Sequence, residues 1–204
     1  MLLHIHPENP QARNIQIVVD CLRGGGIIIY PTDTIYGIGC DIYNTEAIAR
    51  IARIKKSDAK KARFSFICSA LSHLSDYAKN VDTPIFRVLK ASLPGPYTFI
   101  LHASKQVPKQ LKTKKDTVGI RIPDNKICHA IVTGLGHPIM SASLPMDGDV
   151  EYFTDPELME EQFGNLVDIV IDGGIGNTVA STVIDCTSGA PELVREGAGE
   201  WVVG

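Results

Sequence analysis

An α/β domain built on an open, twisted, mixed β-sheet with flanking helices is what this sequence predicts, and three observations carry the expectation. Short Ile/Val-rich runs alternate with amphipathic segments of helical spacing. The alternation lacks the strict one-to-one order of a purely parallel sheet. A length of 204 residues with 44% hydrophobic content suffices for one core, so a single domain over 1–204 is expected.

The elements follow in order. "ARNIQIVVDCLRGG" spaces its apolar residues as a helix does and stops at Gly24, before the buried-strand run "IIIY". "NTEAIARIARIKK" opens on Asn and Thr cap candidates and continues amphipathic, and "FSFIC" then reads as a strand. "TPIFRVLKASLPG" predicts a helix, "YTFILHA" and "TVGIRIP" predict strands, "NKICHAIVTGLG" a helix and "PIMSASL" a strand. "DPELMEEQFGN" predicts the last helix, and "VDIVIDGG", "STVIDCT" and the short "PELVREG" predict the closing strands. His4 and His6 fall in an expected frayed or edge segment.

Composition narrows the function classes. The five cysteines are odd in number, widely spaced and form no CxxC, so reduced, buried thiols are expected rather than a disulfide framework or zinc site. The N-terminus "MLLHIHPENP" lacks a basic region and an adequate apolar run, and a cytoplasmic protein is expected. Net charge is −3, yet residues 50–63 hold seven Lys and Arg and residues 105–126 another seven, out of 20. If the two segments meet they make a local positive field suited to a phosphate-bearing ligand or a nucleic-acid backbone; the alternative is two solvated faces.

Chemistry-bearing candidates cluster at strand ends. "YPTDTIYGIGCD", Tyr30 to Asp41, follows a buried strand with short hydroxyls and glycines. It is either a ligand loop or a turn held by its Asp and Thr side chains. Asp33 and Asp41 are expected in turn or cap roles. Arg121, inside "GIRIP", sits mid-strand among apolar neighbours, where a planar fork points into a cleft to meet a carboxylate or phosphate, or snorkels to the edge. "SASLP" puts Ser143 at a strand end, and "REG" puts Arg195 near the C-terminus. No GxxxxGK or GxGxxG is present, so no familiar phosphate loop is expected; no GxSxG supports a serine hydrolase, and without HExxH no metal ligand set is expected.

Together, "GGGIIIYPTDTIYGIGCD", "IARIKK", "PGPYTFIL", "VGIRIP", "PIMSASL", "STVIDCT" and "LVREGAG" resemble the YrdC/YciO family over nearly the whole chain, closest to its YciO branch. The resemblance implies a YrdC-like fold with a concave, positively charged face. It implies formation of threonylcarbamoyl-adenylate from L-threonine, bicarbonate and ATP, with Mg²⁺ accompanying the nucleotide, for tRNA modification. It also implies double-stranded RNA binding. On the matching positions, Thr32 and Arg121 would hold the threonine and Tyr36 would wall its cleft. Arg195 would approach the nucleotide phosphates, and Lys55 and Ser143 would be catalytic and nucleotide-binding.

Two positions depart from the synthase pattern. Where synthetic members carry Lys-x-Arg this chain reads Lys55-Lys56-Ser57, and where they carry Ser-x-Asn it reads Ser143-Leu144-Pro145. Lys56, Lys60, Lys61 and Arg63 are candidates for compensating charge and for RNA contact. Two readings follow: a threonylcarbamoyl-AMP synthase, and a non-synthetic paralogue that binds double-stranded RNA, tRNA or a nucleotide.

Overall fold

The computed structural model describes residues 1–56, 64–113, 115–144 and 149–201. Helix α1 (Ala12–Arg23) ends at Gly24, whose amide donates to the Asp20 carbonyl, and β2 (Ile28–Tyr30) follows fully buried. Asn44, Asp82, Asn125 and Asp155 each cap a helix by accepting a backbone amide with the side chain. These helices are α2 (Thr45–Ile54), α4 (Thr83–Ser92), α5 (Lys126–Leu135) and α6 (Pro156–Phe163). A sixth helix, α3 (Leu74–Tyr77), is too short to show a period in the sequence.

The remaining strands are β1 (Leu2–His4), β3 (Gly37–Asp41), β4 (Ser65–Ile67), β5 (Ala78–Lys79) and β6 (Tyr97–Ala103). β7 (Thr117–Arg121), β8 (Ile139–Ser143), β9 (Ile169–Asp172), β10 (Thr182–Asp185) and β11 (Glu192–Arg195) complete the set. Among the described residues they form one sheet in the order β1-β9-β2-β3-β8-β4-β7-β6-β10-β11, with β5 beside β6. Pairing is mixed: β1–β9, β9–β2, β4–β7 and β6–β10 are parallel and the other neighbours antiparallel. The mixed sheet with flanking helices agrees with the expectation from sequence, and His4 lies on an edge strand.

One part of the reading needs correction. Gly37 to Asp41 is a central strand rather than loop, and its glycines serve packing: a Cβ on Gly39 would lie 2.8 Å from the Met140 carbonyl and 3.0 Å from the Tyr30 ring. Glycine is weak in strands, so residues that carry no branched or aromatic signal hid this element.

The two faces of the sheet are covered differently, and this positions the site. One face is packed along its length by α2, α4 and α6, through residues such as Ile48, Ile51, Leu89, Met159 and Phe163 against Ile38, Phe66, Phe99 and Ile120. On the other face α1 and α5 pack against Ile28, Tyr30, Ile67, Ile139 and Ile171. Beyond them, toward β6 and β10, that face carries small and polar residues instead, and it forms a cleft. Cys40, Cys68, Cys128 and Cys186 are buried free thiols, as expected; Cys21 is half-buried. No helix among the described residues is long and apolar enough to cross a membrane.

Candidate functional site

The cleft holds about 440 Å³ and its floor is made by the pleat. Alternate residues of a strand share one face, so each floor strand presents apolar side chains to the core and small ones to the cleft. β6 contributes Thr98 and Ile100, β7 contributes Thr117, Gly119 and Arg121, and β8 contributes Ser141 and Ser143. Register aligns them into a row: Ser141 opposite Ser65, Ser65 opposite Gly119, Gly119 opposite Ile100, and Ile100 opposite Asp185. A shallow floor of hydroxyls and glycine lets a ligand approach the backbone and offers it both donors and acceptors.

Charge sits at two ends of this floor. Arg121 closes β7 at one end, and Arg195 pairs with Val183, itself the neighbour of Thr98, at that same end. Four residues earlier on β7, roughly 13 Å away, Thr117 marks the opposite end. Ser143 lies at that end too, two residues beyond the Ser141–Ser65–Gly119 row. There the Lys55 ammonium donates to the Ser143 carbonyl, and Lys115 stands at the rim beside Thr117. Burial lowers the Lys55 pKa from the ordinary lysine value.

Arg121 points into the cleft rather than snorkelling, and it is 8% exposed. One terminal nitrogen donates to Asp33 Oδ1 and to Thr34 Oγ1, both at 2.9 Å, while its Nε is buried without a partner among the described residues. Asp33 also accepts the Asp124 amide at 3.1 Å. It is therefore the counter-ion of Arg121 rather than a simple turn residue. Burial pushes its carboxyl above the ordinary value, opposed chiefly by the Arg121 charge. Asp41 keeps the expected turn role, accepting the Tyr43 amide.

The other candidates divide. Tyr36 walls the cleft; its hydroxyl donates to the Gly174 carbonyl at 2.7 Å and accepts the Gly173 amide at 3.2 Å, and burial raises its pKa. Thr32 is turned inward: its hydroxyl donates to the Ile35 carbonyl and accepts the Thr34 amide, so it shapes the loop, and it is not among the residues lining the cleft. Arg195 donates to the Ser181 carbonyl at 2.7 Å. Lys56 is exposed just past α2. Ser57, Lys60, Lys61, Arg63 and Pro145 lie outside the described residues. Of the basic stretches, Arg50 pairs with Asp168, Lys112 with Asp116 and Lys126 with Glu8, so part of that charge is locally neutralised.

Sequence reasoning missed Ser65, Thr98, Ser141, Ser181 and Asp185, and had Lys115 only as one of the seven cations of 105–126. The signal was present as a period-two run of small or polar residues opposite apolar ones in "FSFIC", "YTFIL" and "STVID". Among the described residues Asp185 is the single carboxylate in the lining, with Oδ1 accepting the Thr187 amide and hydroxyl. Among the described residues no cluster of three His, Cys, Asp or Glu could hold a metal by itself.

The family model Sua5_yciO_yrdC, described as "Telomere recombination", matches residues 20–197. The chain belongs to the Sua5/YciO/YrdC family. It is 42% identical over 198 residues to the uncharacterised protein YciO of Escherichia coli, covering 97% of this chain and 95% of that one. The crystal structure of E. coli YciO superposes with a TM-score of 0.91 at 41% identity, over 98% of this chain and 97% of that one. A threonylcarbamoyl-AMP synthase of Coxiella burnetii is 31% identical over 184 residues, 90% of this chain and 97% of that one. P. abyssi Sua5, complexed with L-threonine, superposes with a TM-score of 0.87 at 28% identity, over 97% of this chain and 57% of that longer one. The fold is thus that of YciO and of part of Sua5.

Proposed function

We propose that this Sua5/YciO/YrdC protein forms threonylcarbamoyl-AMP from L-threonine, bicarbonate and ATP, supplying the activated group for tRNA modification. The observation that carries the reading is the cleft's division into two cationic ends joined by a hydroxyl floor. A substrate with a carboxylate at one end and a polyphosphate at the other matches that division. The volume of about 440 Å³ falls within the range of small-molecule sites. The 31% identity to a threonylcarbamoyl-AMP synthase and the threonine bound to Sua5 support the choice of substrate.

In this reading the threonine carboxylate meets the Arg121 end, where the buried Nε offers a donor, and Tyr36 walls the cleft against water. The threonine nitrogen joins the bicarbonate carbon with loss of water. A carboxylate oxygen of the resulting carbamate then attacks the α-phosphorus of ATP, the α–β bridging P–O bond breaks, and pyrophosphate leaves. Arg195 faces the adenylate phosphate, and Lys55 and the Ser143 hydroxyl stabilise charge growing on the leaving group. Mg²⁺ would come with the nucleotide, held by its phosphates and the Asp185 carboxylate, and would neutralise phosphate charge. ATP, threonine and bicarbonate are substrates; Mg²⁺ is the accompanying ion.

A non-synthetic paralogue binding tRNA, double-stranded RNA or a nucleotide is the second reading. It is favoured by Ser57 and Pro145 standing where synthetic members carry Arg and Asn. The deciding experiment is pyrophosphate release from ATP by the purified protein with Mg²⁺ and bicarbonate, with and without L-threonine. Threonine-dependent release is expected. Nucleotide binding without release would overturn the synthase reading in favour of the second.

A further inference from the structure

We infer that Lys115 is a phosphate-binding residue, the cation that receives the polyphosphate tail of a nucleotide at the Lys55 end of the cleft. Among the described residues, the other cations that line the cleft, and Lys55 beside it, have protein partners. Arg121 is held by Asp33 and Thr34, Arg195 donates to Ser181, and the half-buried Lys55 donates to the Ser143 carbonyl. Lys115 lines the cleft with its side chain exposed, and among the described residues no carboxylate pairs with its ammonium.

The local fold makes that availability specific. Thr113 organises a tight turn: its hydroxyl accepts the amides of Lys115 at 3.3 Å and Thr117 at 3.2 Å, and it lies 2.6 Å from the Thr117 hydroxyl. Asp116 takes a left-handed φ of 55° and points away from the cleft lining, where it is bound by Lys79 at 3.2 Å and Lys112 at 3.0 Å. Its neighbour Asp116 is thus held by two other lysines, and Asp185, the carboxylate in the described lining, already accepts from the Thr187 amide and hydroxyl. The turn leads straight into β7, so Lys115 is delivered beside Thr117 at the same end as Ser143 and Lys55. Those two points are two strands apart on the sheet, roughly 10 Å, a span that a triphosphate can bridge.

Adenylate transfer leaves growing negative charge on the β and γ phosphates, and a cation there is worth most when no internal acid competes for it. This chain has Ser57 where the family resemblance puts Arg in synthetic members, and Lys115 brings a cation to that end from the turn before β7. The inference rests on the proposed synthase function for the departing pyrophosphate, but the binding claim stands apart from it.

The test is calorimetric titration of ATP, inorganic tripolyphosphate and AMP into the full chain and its Lys115→Ala and Lys115→Arg variants. Loss of one charge-assisted contact predicts roughly tenfold weaker ATP and tripolyphosphate binding by Lys115→Ala, with AMP within about twofold of the parent, and recovery in Lys115→Arg. Parallel weakening of ATP and AMP, no weakening of either, or no tripolyphosphate binding by the parent protein would each overturn it. Selective loss of tripolyphosphate without any threonine-dependent pyrophosphate release would sink the synthase reading and leave this inference standing. Threonine-dependent release with unchanged ATP affinity and rate in Lys115→Ala would do the reverse.

Discussion

Replacing Arg121 by Met tests how the centre of the site is held together. The Arg121 and Asp33 side chains are only 10% and 9% exposed, and they meet at 2.9 Å. Removing one member of a buried pair strands the other charge and costs about 3–5 kcal/mol. A 204-residue chain unfolds with an entropy of about 430 cal/mol/K, so the melting temperature should fall by roughly 7–12 °C. Asp33→Asn alone leaves the guanidinium stranded and should cost a comparable amount. The double variant should cost less than the sum, with a coupling of about 2–3 kcal/mol. The loss also carries a pH signature. Burial raises the Asp33 carboxyl, and the Arg121 charge is the chief force opposing that rise, so Arg121→Met raises it further. An acid raised in the folded state is most stabilising below its unfolded pKa and loses that contribution as pH rises through the folded value. The deficit of Arg121→Met should therefore shrink between about pH 7.5 and about pH 5. Urea denaturation of the four proteins at both pH values measures every term. Additive single effects below about 1 kcal/mol, or a deficit that grows on acidification, would refute the view that this pair is the buried electrostatic centre of the cleft.

Three other substitutions separate fold from site. Gly119→Val places a Cβ at ordinary contact distance, 3.4 Å from Ser65 and Thr98, but fills the middle of the floor; nucleotide binding by calorimetry should vanish while the melting temperature holds. In Gly39→Ala the Cβ meets the Met140 carbonyl at 2.8 Å, a backbone clash costing about 1–3 kcal/mol, which thermal melting would show as a drop of several degrees. Asp82→Ala removes the side-chain acceptor for the Ile85 amide at the start of α4, and chemical denaturation should register a loss of about 1 kcal/mol with nucleotide affinity unchanged.

Much of the fold was legible because its elements carry their signals locally. Asn44 and Asn125 announce helix starts by side chains that do cap, and "IIIY" and "VDIVIDGG" read as buried strands because nothing polar interrupts their apolar centres. Gly37 to Asp41 was illegible as a strand because its residues were chosen for contact with Tyr30 and Met140, which lie elsewhere in the chain. The site divides along the same line. Arg121 stood out as a charge within a strand, but its counter-ion Asp33 lies 88 residues away in sequence, and no spacing rule connects them. Lys115 was one lysine in a basic stretch; only the capture of Asp116 by Lys79 and Lys112 sets it apart. Thr32 carried the family motif yet spends its hydroxyl on its own loop.

The order of strands has a consequence for how the molecule is made. β2 emerges early in synthesis but its parallel partner is β9, and the Ile27 amide waits for the Asp168 carboxylate 141 residues later. The cleft floor likewise borrows β10 from the last quarter of the chain to sit beside β6. β2 can pair with β3 at once, but its other edge and that of β6 stay open in the nascent chain until β9 and β10 have been synthesised. Nucleotide present during synthesis has nothing to bind before that moment, and it should speed the acquisition of protease resistance only after residue 185 has been exposed.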